Sequence, residues 1–410
     1  MDYLQQFKSL SELVSYVRLK FQISATTNAL KKDLSRPSLK QCFDLLRHSG
    51  RSFYLNISAL KGLPRDGICI YYLIVRAMDT IEDDMTIPCE VKHSILRSFD
   101  TIVRDEGWSF TQSQDKDAVV LEMFPSISKE FNRLPESYQN VIMEDLRGIG
   151  ESFATSNEIP CYNLEEFEKY CRYSAGIPLI QMRQMLHMAE PVTDYEKTWI
   201  KNFGHLFQMT NDLRDIRHDI VIDRKRLWPE SVWKKYTKDI RDLILPENEV
   251  QGLACLNELV TYALDHVPSC VSFLKLCPTE ECLKFFAVLQ VMAVATLERL
   301  YNNPQVFRHI IKIRRGEAAY IMVNSTSMQN VKAMNAHYIA KIQTRVPKDD
   351  PNYTRTRQVC EAALSVVQDV TAPKTFNGFH LVLSVLIFAL FCIVLGFVAE
   401  ARLVNKGNSL

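Results

Sequence analysis

The stretch from Gly67 to Met85, GICIYYLIVRAMDTIEDDM, constrains the fold of this chain more than any other. It has no internal proline and is rich in helix formers, so it reads as a helix opened by Pro64. Its apolar body demands burial, yet it ends in Asp79, Glu82, Asp83 and Asp84. At ~100° per residue Asp79, Glu82 and Asp83 share one face, while Asp84 points elsewhere. Three carboxylates crowded on one face repel one another unless something cationic neutralises them, and hard oxygen donors suit Mg²⁺. A solvated acidic helix end is the ordinary meaning of one such cluster standing alone.

A second acidic stretch tips the balance. Asn211-Asp212-Leu213-Arg214-Asp215-Ile216-Arg217-His218-Asp219 closes a segment that Thr193 and Glu196 open in capping-box spacing. On a helix Asp212, Asp215 and Asp219 fall within ~60° of one another and span ~10 Å of axis. Two acidic helices facing an apolar cavity would hold metal ions against a diphosphate and draw charge from it as a C–O bond breaks. Arg76, one turn before Asp79, and Arg214, beside Asp215, offer forked donors to such a diphosphate. An ordinary intrahelical ion pair is an equally good reading of either arginine.

Elsewhere the chain is helix after helix. Pro135 to Thr155, Asn163 to Met188, Thr193 to Asp219, Gln251 to His266 and Glu280 to Tyr301 carry apolar residues at i, i+3, i+4 and i+7, and no period-2 strand stands out. The expected fold is all-α, a single large helical bundle around a central cavity, followed by a C-terminal transmembrane helix. That last helix is the run Leu381 to Ala399, with one serine and no charge, the length needed to cross a bilayer. The expected organisation is a catalytic domain over 1–345, a tether over 346–378 whose middle (Thr354 to Val370) is helical, an anchor over 379–399 and a tail over 400–410.

With 410 residues and a net charge of +1, the chain gives no support to nucleic acid as a partner. Its eleven cysteines are scattered without CxxC spacing, which reads as reduced core thiols rather than a disulfide or zinc framework. No GxGxxG or GxxxxGK[ST] occurs, so a nicotinamide cofactor would bind without a Rossmann loop. The N-terminus lacks the basic and apolar regions of a secretory signal.

Six blocks in order, SGRSF (from Ser49), YYLIVRAMDTIEDDMTI (from Tyr71), YCRYSAG (from Tyr170), FQMTNDLRD (from Phe207), LWPESVW (from Leu227) and LQVMAVATLERLYNNPQVFRHIIKIRRG (from Leu289), resemble the squalene synthases. These are the farnesyl-diphosphate farnesyltransferases of the head-to-head isoprenyl synthase family, and the likeness covers nearly the whole chain. It implies two molecules of farnesyl diphosphate as substrate, Mg²⁺ and NADPH as cofactors, squalene as product, and a monomer anchored in the endoplasmic reticulum membrane with its catalytic domain in the cytosol. By position it implies Mg²⁺ at Asp79, Glu82, Asp83, Asp215 and Asp219, with Asp79, Asp83, Asp215, Asp219 and Tyr170 as catalytic residues. Substrate would meet Ser52, Phe53, Tyr72, Arg76, Lys116, Gln208, Arg214 and Phe285. Arg51, Arg76, Asn211, Arg214, Lys312 and Arg314 are implied at the cofactor, and the loop Ile220 to Trp228 as a flap that excludes water. On the residues alone, Tyr170 and Phe285 read as core aromatics, and Arg308, Lys312 and Arg315 as a solvated or membrane-facing basic stripe.

The chain departs from the family pattern at His218, where a carboxylate is usual. Asp212, one turn before Asp215, is read as partly restoring that charge. Leu289 and Ser174 are milder departures in the cavity wall. The alternatives are a relative that stops at the cyclopropyl (presqualene) diphosphate or makes a phytoene- or dehydrosqualene-type product without NADPH, and a degenerate membrane-tethered binding protein.

Overall fold

The first acidic helix runs Gly62–Asp83. It starts at Gly62, whose φ of +60° is a left-handed value that glycine adopts freely. Pro64 falls in the first turn, where a missing N–H costs nothing. Every residue from Arg65 to Ile74 is buried, Arg65 pairing with Asp66 and the apolar body from Gly67 on requiring cover, so its neighbours surround the helix on all sides. The computed structural model describes residues 6–33 (backbone alone for 27–33), 35–50, 52–156, 162–221 and 227–368. Among these residues there are helices and loops but no strands.

The second acidic helix, Asp194–Val221, is as central. The expected capping box holds it open: Thr193 N donates to Glu196 Oε2 at 3.0 Å, and Glu196 N to Thr193 Oγ1 at 3.2 Å. It packs against the segments Leu164–Leu186, Glu249–Leu264, Val267–Lys275 and Glu280–Leu300.

Two expected helices are interrupted. Pro135 to Thr155 divides into Glu136–Met143 and Leu146–Ser156. Asn163 to Met188 becomes Leu164–Cys171, a π-helical turn Arg172–Gly176, and Ile177–Leu186. Pro178 explains the second break: it has no N–H for the carbonyl four residues back, and a wide turn upstream accommodates its ring. The π turn lies directly on the second acidic helix. A Cβ on Gly204 would stand 2.4 Å from Gly176 Cα and 2.5 Å from Gly176 N, so the two backbones touch there.

The region expected to begin the tether belongs instead to the bundle. Helix Tyr353–Val367 buries Val359, Cys360, Ala363, Leu364 and Val367 against Met328–Thr344 and Glu249–Leu264, and Thr356 Oγ1 meets Thr261 Oγ1 at 2.7 Å. Its apolar face needs cover that a free tether would not supply, and the compact unit accordingly runs to Gln368. The run Leu381 to Ala399 lies outside the described residues. Among those described, no helix is long and apolar enough to cross a membrane. The described cysteines are all free and most are buried, in keeping with core thiols.

Candidate active site

A cavity of about 910 Å³ opens between the two acidic helices, large for a small-molecule site, where ~300–1,000 Å³ is usual. Its polar lining includes Arg76, Asp79, Asp83, Arg214, Asp215 and Asp219, and its apolar lining Phe53, Leu179, Met182, Phe207, Leu289 and Met292. Phe53, on the short helix Ser52–Ser58, ties the two sides together, its ring 5.1 Å from that of Tyr72 and 5.9 Å from that of Phe207. Ser52, Lys116, Gln208, Asn211 and Lys312 also line the space.

The carboxylates of Asp79, Glu82 and Asp83 converge as the helical spacing predicts, with one oxygen from each lying within 4.8 Å of the others. Glu82 is fully buried and accepts from Ser156 Oγ at 2.6 Å and Tyr170 Oη at 3.4 Å. Buried Lys92 donates to the Glu82 carbonyl at 2.8 Å, placing a cation at the carbonyl end of the helix where the macrodipole favours one. Nothing in the sequence around Lys92 or Ser156 marks either residue. An all-oxygen donor set of this kind fits Mg²⁺.

Asp84 does point elsewhere. It accepts from Thr86 N and Oγ1 and from Ser113 Oγ and Gln114 N at 2.6–2.8 Å. Burial alone would raise its pKa, but these bonds outweigh it and bring the value to about 2. Its stabilising contribution, of order 1–2 kcal/mol, is therefore present above about pH 4 and lost as the pH falls through about 2. Asp84→Asn should remove that part of the acid dependence of thermal unfolding, and an unchanged profile would show that these bonds contribute no net stability.

On each acidic helix an arginine grips a carboxylate. Arg76 Nη1 lies 2.5 Å from Asp79 Oδ2, and its Nη2 donates to Tyr72 Oη at 2.9 Å. Arg214 forks Asp215 through Nε at 2.9 Å and Nη2 at 2.6 Å. Burial would favour losing the charge of either arginine, but its acidic partner more than offsets this and raises both pKa values. The second acidic face is less gathered than the first: among the described residues, Asp79, Glu82 and Asp83 form the one group close enough to share an ion. Asp215 is turned onto Arg214, and Asp212, buried, accepts from Gln208 Nε2 at 2.9 Å. Asp219 and exposed His218 still line the cavity.

Tyr170 is buried but reaches the cavity. Burial, and then the charges of Glu82 and Asp212, push its phenol well above its ordinary pKa, which makes it a neutral donor. Ser174 Oγ, in the π turn, donates to the Tyr170 carbonyl at 2.8 Å. Phe285 is placed away from the cavity, in an aromatic core with Phe286, Phe273 and Phe203, and its carbonyl accepts from Asn56 Nδ2 at 2.9 Å. Lys312 is exposed at the cavity, whereas Arg314 is held by Glu12 at 2.5 Å and Glu317 at 3.6 Å. Arg51 and residues 222–226 of the expected flap lie outside the described residues. The far end of that loop is anchored: Leu227 lines the cavity, and Trp228 Nε1 donates to the Asp212 carbonyl at 3.2 Å.

Residues 46–317 match the family model for squalene/phytoene synthase. The chain is 39% identical to squalene synthase of Rattus norvegicus and 38% identical to that of Homo sapiens, in each case over 84% of both chains. Against squalene synthase of Schizosaccharomyces pombe the identity is 33% over 84% of this chain and 77% of the other. A solved ligand complex of TcSQS superimposes with a TM-score of 0.77 at 30% identity, covering 81% of this chain and 98% of that one. The all-helical bundle is of the isoprenoid synthase type, and the chain belongs to the squalene/phytoene synthase family.

Proposed function

We propose that this prenyltransferase joins two farnesyl diphosphates head to head, first to a cyclopropyl diphosphate and then, with NADPH, to squalene. The observation that carries the reading is one cavity lined both by two acid–arginine pairs and by many apolar side chains. Asp79, Glu82 and Asp83, with Asp215 and Asp219 opposite, would hold Mg²⁺, which supplies electrostatic pull on the departing diphosphate. Arg76 and Arg214 bind and orient that diphosphate. Tyr170 stays protonated and offers its hydrogen bond to the acidic cluster, while the rings of Phe53, Tyr72 and Phe207 line the cavity, where aromatic rings would favour developing positive charge. Apolar walls exclude water, which would otherwise quench a carbocation to an alcohol. NADPH, when bound, supplies hydride for the second step. Lys312, exposed at the cavity, would meet its phosphate, and Arg314, held by Glu12, would serve mainly to pin the N-terminal helix.

The run Leu381 to Ala399 would anchor a monomeric enzyme in the endoplasmic reticulum membrane. Product analysis with farnesyl diphosphate and Mg²⁺ tests the activity: squalene is expected only when NADPH is present. A cyclopropyl or dehydrogenated product with and without NADPH would replace this reading with that of a non-reductive relative. The anchor is tested by sedimentation, in which the full chain should pellet with membranes and a chain ending at Gln368 should not.

A further inference from the structure

We propose that Arg76 and Arg214 serve two partners in turn: each holds a metal-binding carboxylate while the site is empty and passes to the substrate's diphosphate when metal takes that carboxylate. The inference rests on the metal and diphosphate roles proposed above.

Both arginines line the cavity, and each is paired with an acid of its own helix, Arg76 with Asp79 and Arg214 with Asp215. At Asp215 the fork takes both carboxylate oxygens, and at Asp79 it takes Oδ2. A cation arriving there competes for those lone pairs and places like charge against the guanidinium, so the two cannot share a carboxylate at full strength. The displaced arginine does not go far, because its stem stays fixed to the helix beside the acid it leaves. Arg76 Nε is buried with no hydrogen-bond partner, so this group already holds a donor in reserve. A freed guanidinium fork matches the spacing of phosphate oxygens. With diphosphate absent, the arginines oppose metal binding; with it present, they have somewhere better to go. Metal and diphosphate therefore bind with positive coupling, and by linkage each strengthens the other equally. In the empty site each arginine offsets one carboxylate, so metal loads poorly without substrate.

The test is direct binding of Mn²⁺ to the purified full chain, read by electron paramagnetic resonance, with and without inorganic pyrophosphate. In the wild type, pyrophosphate should tighten protein-bound Mn²⁺ by at least ~10-fold, within the usual range of coupling. In Arg76→Gln, Mn²⁺ alone should bind ~5–10-fold tighter, and the enhancement by pyrophosphate should fall by a similar factor. Arg214→Gln should behave likewise for ions held by the second helix, and it carries the test if Arg76→Gln does not fold. An enhancement that stays at the wild-type value in both variants overturns the exchange while leaving the metal site intact. Failure of Mn²⁺ to bind the wild type, with or without pyrophosphate, overturns both the exchange and the metal assignment beneath it.

Discussion

Asp83→Asn is expected to lower the turnover of farnesyl diphosphate by about 10³-fold, the loss typical of removing a principal electrostatic group from a reaction that develops charge, while leaving the protein folded. Asp83 lines the cavity, and one of its oxygens lies within 4.8 Å of one from each of Asp79 and Glu82. Like charges at that distance repel by about 3 kcal/mol even at an effective dielectric near 20. Neutralising one of the three should thus leave the metal-free protein at least as stable as before. Asp83 also suits the test better than Asp79, whose loss would strand Arg76. The measurement pairs a rate assay across Mg²⁺ concentrations with a thermal unfolding curve. Near-normal turnover at low Mg²⁺ would end the assignment of this face to metal. A fallen melting temperature would show instead that Asp83 supports the fold.

The helices were legible because their signals are local. Capping boxes at Thr193/Glu196 and Asn163/Glu166 form as spaced, and the 3.6-residue period alone brings Asp79, Glu82 and Asp83 together. What a single helix cannot announce is what it meets. Phe285 sits on an apolar helix whose other faces are equally apolar, so periodicity does not say which face turns to the core. Arg314 lies in a basic run, yet its partner Glu12 is 302 residues away in the chain. Lys92 and Ser156 matter only because distant helices bring them to the end of the first acidic one. The helix Tyr353–Val367 is legible as a helix, but Pro347, Pro351 and Pro373 around it suggest a tether, and a proline at a boundary does not tell a linker from a turn. Pro178 was there to be read, and a break just before it follows from the rule that proline cannot continue the hydrogen-bond ladder, although that rule does not specify the π turn Arg172–Gly176 that forms there.

That turn supplies the last expected result, an asymmetry between two glycines that face each other. Gly204→Ala should destabilise the protein by about 3 kcal/mol, at the upper end of overpacking costs, and should cut activity sharply. The atoms a new Cβ would meet, Gly176 Cα at 2.4 Å, Gly176 N at 2.5 Å and the Ala175 carbonyl carbon at 3.2 Å, are all backbone. No side chain can swing away, so the π turn and the second acidic helix must separate. Tyr170 and Ser174 would move with the turn, and Asp212 and Asp215 with the helix. Gly176→Ala puts the same methyl group on the opposite backbone, yet its nearest neighbours, the Cys171 carbonyl oxygen, Arg172 Cγ and Lys201 Cα, are 3.8–3.9 Å away. That is ordinary contact, and with alanine's better helix propensity, worth ~1 kcal/mol, the variant should remain close to wild type in both melting temperature and rate. Equal damage from the two substitutions would mean that the crossing requires glycine on both helices for backbone freedom. Equal tolerance would mean that the helices can part without cost, and that the Gly176–Gly204 contact does not hold the site together.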